Sequence, residues 1–260
     1  MAHGDLLVGA DGTNSKVRRQ CRPDAEPHDT GVRGIFGRTY VTAINLPVLE
    51  PLLRNAGMMA LGPRGSVFFC TSMRFRQSPA VEAARLGIEG QEWPSQDYFM
   101  WAVTVRDSRT EGRGSLMPQP EALHELAMSA IEGFHDDYQA LVQSADRNDL
   151  VLVPIRAAQS VRLAKRSSMT LIGDAAHTMP PFGAHGANTA LKDAQVLANQ
   201  LSSRPSIEEA IREYEAAMDR YSRQLVRSAS RMMLMATANF PLKRTIFRTA
   251  LRAATLFSRS

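Results

Sequence analysis

The twenty residues from Met169 to Asn188 constrain the fold of this chain more than any other stretch. Met169, Leu171 and Ile172 are an apolar run of the kind that makes a short buried strand, and Gly173-Asp174 ends it with a carboxylate where the backbone turns out of a sheet. Such a carboxylate can accept hydrogen bonds from polyol hydroxyls. Pro180 and Pro181 fix two φ angles and remove two N–H donors, so the next segment is a stiff loop and not an early helix. Gly183 and Gly186 let backbone approach a flat ring with no Cβ in the way. From Asn188 the spacing of Asn188, Leu191, Ala194-Gln195, Ala198 and Leu201 predicts a helix. The loop therefore presents free N–H groups at a helix N-terminus, a position that favours negative charge.

A second informative segment lies near the start. Asp5-Leu6-Leu7-Val8-Gly9-Ala10-Asp11-Gly12-Thr13-Asn14-Ser15-Lys16-Val17-Arg18 reads as an apolar strand, a tight turn and a capped basic helix start, with Asn14 or Ser15 as N-cap. Asp-Gly after a strand is by itself an ordinary turn.

The order G-D-A-A-H-x-x-P-P-x-G-x-x-G-x-N over Gly173 to Asn188 is similar to the second flavin motif of the FAD-dependent aromatic-ring monooxygenases, the group resembling para-hydroxybenzoate hydroxylase. The order G-A-D-G-x-x-S-x-V-R over Gly9 to Arg18 resembles the DG motif of the same family. The resemblance implies that Asp174, after Gly173, holds the ribityl chain of FAD. It puts Gly183, Gly186, Ala187 and Asn188 at the pyrimidine edge of the ring, and Asp11, Gly12 and Arg18 near the pyrophosphate. It leads us to expect the carbonyl of Pro180 to face the substrate, and no nucleophilic side chain. The implied reaction is oxygenation of an aromatic or polycyclic metabolite by O2, with NAD(P)H as reductant and the flavin carrying the difficult chemistry. An epoxidase or reductase of the same fold is a sibling reading.

The family's dinucleotide-binding βαβ unit carries G-x-G-x-x-G, and that sextet does not occur in this sequence. The nearest approach, Gly112-Arg113-Gly114-Ser115-Leu116-Met117, lacks the third glycine and follows charged residues. The chain is thus read as N-terminally shortened, and the competing expectation is a non-catalytic remnant or partner subunit that cannot hold FAD alone.

The fold expected is α/β of mixed type: a partial FAD-binding, Rossmann-like domain with an inserted antiparallel substrate domain and C-terminal helices. Residues 1–30 and 159–205 belong to the FAD-binding part, 31–158 to the substrate sheet and 206–260 to a helical segment. The segments Gly34 to Thr42, Met58 to Gly62, Ser66 to Met73 and Tyr98 to Val105 are rich in Val, Phe, Tyr, Trp and Thr, which predicts the sheet; Gly62-Pro63-Arg64-Gly65 predicts a hairpin turn. The sheet is expected to act as the platform for an organic substrate. Glu82 to Gly87 and Gln91 to Gln96 read as surface insertions. Ala122 to Val142 is predicted as one helix and Leu150 to Ile155 as a strand. Ser206 should cap a long helix with Glu208-Glu209 in its first turn, its stripe running through Ile207, Ile211, Tyr214, Met218, Tyr221, Leu225 and Met232 to Pro241. Leu242 to Phe257 is a basic amphipathic segment, read as a packed helix with a weak membrane-surface contact as its alternative.

Composition narrows the remaining classes. With 260 residues, 44% of them hydrophobic, the chain can bury a substantial core. The net charge of +5 arises from scattered Lys and Arg among 26 acidic residues, which argues against nucleic acid as a partner and suits anionic cofactors. Cys21 and Cys70 are too few and too far apart for a disulfide framework, and His3, His28, His124 and His135 have no metal-ligand spacing. A cytoplasmic protein that takes a small organic substrate and O2, without a metal, is the expectation; a homodimer is left open. His177 is read as a structural histidine packed under the loop, Arg38 as a residue of the sheet's wet face or a substrate-orienting group beside Tyr40, and Trp93 and Trp101 as sheet or core aromatics.

Overall fold

A computed structural model of the chain describes residues 3–41, 57–88, 90, 93–94, 96–106, 119–159 and 168–239. In chain order the regular elements are β1 (Leu7–Gly9), α1 (Lys16–Cys21), β2 (His28–Tyr40), β3 (Gly57–Leu61), β4 (Val67–Met73), α2 (Pro79–Arg85), β5 (Tyr98–Arg106), α3 (Pro120–Ile131), α4 (Asp136–Gln143), β6 (Val151–Ala157), β7 (Met169–Leu171), α5 (Asp174–His177), α6 (Gly186–Ser203) and α7 (Ile207–Thr237). The described residues of 1–31 and 154–235 form one compact unit and those of 32–153 and 236–260 another. The chain passes between the units within β2, within β6 and near the end of α7.

In the first unit β1 and β7 pair in parallel, with Leu7 opposite Met169, Val8 opposite Thr170 and Gly9 opposite Leu171. A parallel pair requires a long crossover, and here the crossover contains residues 32–153 of the second unit. Helices pack on the pair: Leu171, Ala175, Ala176, Leu197, Tyr214 and Met218 are the buried centre, with Val8 and Val17 against them. Polar links hold α7 to this core. The Tyr214 hydroxyl donates to the Leu171 carbonyl at 2.9 Å, and burial pushes its ionisation well above the ordinary phenol value. The Arg22 guanidinium meets Glu215 at 2.6 Å with both side chains buried, and Glu215 also accepts from Thr170.

The second unit is organised around an antiparallel sheet of order β3-β4-β5-β2-β6. Alternation along β5 sends Phe99, Trp101, Val103 and Val105 into the core, where α3 contributes Leu123, Leu126, Ala127 and Ala130. Gly37 lies opposite Trp101 in the β2–β5 register; a Cβ there would come within 2.4 Å of the indole, so only glycine admits the ring. The indole N–H donates to the Thr39 hydroxyl at 3.1 Å, which in turn donates to the Leu141 carbonyl at 2.7 Å. Burial alone pushes the Cys70 thiol up to about 12.

Several expectations need correction. The predicted helix over Ala122 to Val142 is two helices, α3 and α4, broken where Gly133 adopts φ 81° and His135 caps α4. Within the expected surface insertion Glu82 to Gly87 the chain forms the end of α2 (Pro79–Arg85), and residues 84–87 are exposed. The helix expected from Asn188 onward forms as α6; of the residues that predicted it Leu191, Ala194 and Ala198 are exposed, Leu191 at 71%, while Thr189, Asp193 and Leu197 face inward. On α7 the buried side runs through Ala229, Met233, Ala236 and Thr237, not Met232, and the helix stops at Thr237. The Gly112 hexapeptide and the segment 242–257 lie outside the described residues. Among the described residues no helix is long and apolar enough to cross a membrane.

Replacing Thr39 by Val should leave the buried Trp101 N–H without an acceptor and lower the unfolding free energy by about 1–3 kcal/mol. Urea melts followed by tryptophan fluorescence measure this; a variant as stable as wild type would contradict the assigned bond.

Candidate cofactor site

The parallel pairing brings the two motif segments together at the C-terminal ends of β1 and β7. After β1 the chain turns through Gly12, at φ 73°, into α1, whose N-cap is Ser15. Asp11 closes this turn. Its carboxylate accepts from the Ser15 hydroxyl and from the backbone N–H of Lys16 at 2.6 Å and Val17 at 3.3 Å. The Ser15 hydrogen bond foremost, with the two N–H donors, holds the Asp11 carboxyl low, at about 2. The carboxylate is thus engaged in capping α1, while Gly12 leaves open space where a side chain would stand.

Arg18 differs from expectation in where its charge goes. Its side chain is only 1% exposed. The guanidinium donates to the Ala175 carbonyl at 3.0 Å and the Thr13 carbonyl at 2.7 Å, and pairs with Glu26 at 3.3 Å. It fastens the β1–α1 turn to α5 instead of presenting its charge to solvent. Thr13 and Thr178 join hydroxyls across the same seam at 2.9 Å.

After β7, Gly173 adopts φ 59° and ψ −141°, a combination essentially restricted to glycine. Its Cβ position would also lie 3.0 Å from Ala190. This turn starts α5 at Asp174, which the sequence did not predict as helical, and leaves the Asp174 side chain exposed. His177 ends α5 in the core, as expected of a packed histidine. Pro180 is buried, Pro181 is exposed, and Phe182 tucks inward. Gly183, at φ 94°, leads through His185 into α6.

The α6 N-terminus has no capping side chain. The N–H groups of Gly186, Ala187 and Asn188 therefore have no intrahelical acceptor, and Ala187 and Asn188 are exposed. A methyl group added at Gly186 would meet a single neighbour, the Asp174 carboxylate oxygen at 4.0 Å. The fold thus juxtaposes an acceptor carboxylate, an uncapped helix N-terminus and a backbone without a Cβ. These residues suit a ligand with hydroxyls beside an electron-rich carbonyl edge, as FAD has.

Sequence reasoning missed Asp193. This carboxylate is 0% exposed and accepts from the Gly173 N–H at 2.7 Å, His177 Nε2 at 2.6 Å and the Tyr221 hydroxyl at 2.5 Å. The signal was there: Asp193 falls at four-residue steps from Thr189 and Leu197, on what proves to be the buried face.

Residues 2–231 match the family model described as "FAD binding domain". The chain belongs to this family. The FAD-binding domain is 29% identical over 244 residues to the dual O-methyltransferase/FAD-dependent monooxygenase CTB3 of Cercospora beticola, a match covering 83% of this chain and 26% of that protein. It is 30% identical over 226 residues to 3-amino-4-hydroxybenzoate 2-monooxygenase of Streptomyces cremeus, covering 83% and 46%. Klebsiella pneumoniae HpxO, solved with FAD and uric acid, has the same fold at a TM-score of 0.72 and 20% identity, covering 97% of this chain and 57% of that one. The chain spans between a quarter and three-fifths of the length of these proteins.

The Asp11 cap generates a pH prediction. A folded-state value of about 2, below the ordinary aspartate value of 3.8, means that its stabilisation is complete above about pH 4 and is lost as pH falls through about 2. Urea melts of wild type and Asp11→Asn between pH 5 and pH 2 should converge toward low pH. Parallel curves would remove Asp11 from the cap.

Proposed function

We propose that this chain is the flavin-ring-holding part of a FAD-dependent monooxygenase that uses NAD(P)H and O2 to oxygenate an aromatic or polycyclic organic metabolite. The observation that carries this is the meeting of the Asp174 carboxylate with the uncapped α6 N-terminus across the bare backbone of Gly186. When bound, FAD supplies the redox chemistry, taking electrons from the nicotinamide and activating O2. Asp174, after the Gly173 turn, accepts hydrogen bonds from the ribityl hydroxyls. The N–H groups of Ala187 and Asn188, with the helix dipole behind them, stabilise negative charge at the pyrimidine edge. Gly183 and Gly186 permit close approach of the ring. Pro180 presents its carbonyl toward the substrate. Asp11 and Gly12 shape the turn beside the pyrophosphate, and Arg18 holds that turn in place from within. The names of relatives acting on 3-amino-4-hydroxybenzoate and on aurachin C support an aromatic substrate.

The test is uptake of FAD by the purified chain. Bound flavin should give a visible spectrum, and NAD(P)H oxidation should rise with an accepted aromatic substrate. Asp174→Ala removes a charged acceptor worth about 1.5–3 kcal/mol and should weaken FAD binding by roughly tenfold or more, measured by flavin fluorescence. A colourless protein that takes up no added FAD would favour the alternative, a non-catalytic remnant or partner subunit. Equal affinity in Asp174→Ala would remove this residue from the site.

A further inference from the structure

We propose that Asp193 is a positioning residue: it sets the direction of Asp174 toward the ribityl polyol by anchoring the Gly173 turn to α6. This rests on the reading of Asp174 as the ribityl-binding group. Asp193 lies on the same helix whose first turn faces the ring edge, and its carboxylate reaches back to the Gly173 N–H at 2.7 Å. Gly173 immediately precedes Asp174 and sits at φ 59°; the Ala176 and His177 N–H groups hold its carbonyl from within α5, and the Asp193 carboxylate is the partner that holds its N–H. The second bond, from His177 Nε2 at 2.6 Å, fixes the other end of α5 to the same carboxylate. A carboxylate only accepts, so Nε2 carries the hydrogen. The two bonds bracket α5, whose first residue is Asp174, and tie it to α6.

The third donor, the Tyr221 hydroxyl at 2.5 Å, comes from α7. Burial, then the hydrogen bond to Asp193, raises the Tyr221 phenol above its ordinary value, so it remains a donor. The Lys192 ammonium lies 4.2 Å from the centre of the Tyr221 ring and holds it from the next position on α6. Three donors satisfy a fully buried carboxylate, which would otherwise be strongly disfavoured there. Asp193 has no exposed surface with which to touch a ligand. Its effect on flavin passes through Asp174.

The discriminating experiment uses two small flavins, riboflavin, which has the ring and polyol, and lumiflavin, which has the ring alone. Their affinities for this chain are followed by fluorescence for wild type, Asp193→Asn, Asp193→Leu and Tyr221→Phe. Asp193→Leu, which leaves three donors without an acceptor, should weaken riboflavin about tenfold or more while changing lumiflavin less than about twofold. Asp193→Asn can still accept from Gly173 and His177 through its amide oxygen and should retain riboflavin affinity within about threefold. In an Asp174→Ala background the riboflavin losses should disappear, because the group being aimed is gone. Equal weakening of both flavins, or losses that persist without Asp174, would make Asp193 a general fold residue and overturn the proposal.

Amide exchange provides a readout that needs no ligand. The Gly173 N–H should exchange faster in Asp193→Leu while Ile172, bonded to the Gly9 carbonyl at 3.0 Å, stays protected. If Asp193→Leu does not fold, Tyr221→Phe serves, with a smaller loss selective for riboflavin and the same contrast between the two amides. Should wild type bind neither small flavin nor FAD, the proposed function fails, and unchanged Gly173 exchange in these variants would separately overturn the anchoring role.

Discussion

The three-residue parallel pairing of β1 with β7 is the constraint on which the rest of the first unit depends. So short a pair cannot persist alone. It is held because groups from neighbouring segments close on it: the Arg18 guanidinium on the Ala175 carbonyl, the Thr13 hydroxyl on Thr178, and the Tyr214 hydroxyl on the Leu171 carbonyl. With the pairing in place, the turn after each strand opens at the same end, and the two motifs become neighbours. Nothing in the second unit is needed to explain that local geometry.

Polar groups inside this unit act mainly as fasteners. Arg22 with Glu215, Arg18 with backbone carbonyls, and Asp193 with its three donors each place a charge out of water and surround it with partners. Such an arrangement adds little net stability over well-packed apolar groups, but it is costly to leave half made. It therefore penalises any displacement of the turns that it holds. The exposed polar groups near it, Asp174 and the first N–H groups of α6, are left available to a ligand because the buried groups do the holding.

Much of the architecture was legible from sequence. Enrichment in Val, Phe, Tyr, Trp and Thr made β4 and β5 readable, and Ser206, whose hydroxyl accepts from Glu209 N–H at 3.2 Å, marked the start of α7. The break between α3 and α4 was missed because the apolar spacing runs through Gly133, and spacing cannot sense a backbone reversal. The spacing that predicted α6 does not identify its buried face. Its inward face carries Thr189 and Asp193 and its outward face Leu191, so hydrophobicity points the wrong way. Polar residues turned inward this way are the mark of a helix that serves a site as well as a core.

The sequence by itself determined the local chemistry between Met169 and Asn188: strand, carboxylate turn, stiff loop and helix start follow from glycine, proline and apolar order, which act on neighbouring residues. The tertiary structure decided which charges remain available. Asp11 is taken up by the first turn of α1, Arg18 by a carbonyl 157 positions away, and Asp193 by donors from three segments, while Asp174 is left beside Gly186. Apart from the Asp11 cap, these assignments depend on partners brought close by β1–β7 pairing and helix packing, and no spacing rule along the chain carries that information.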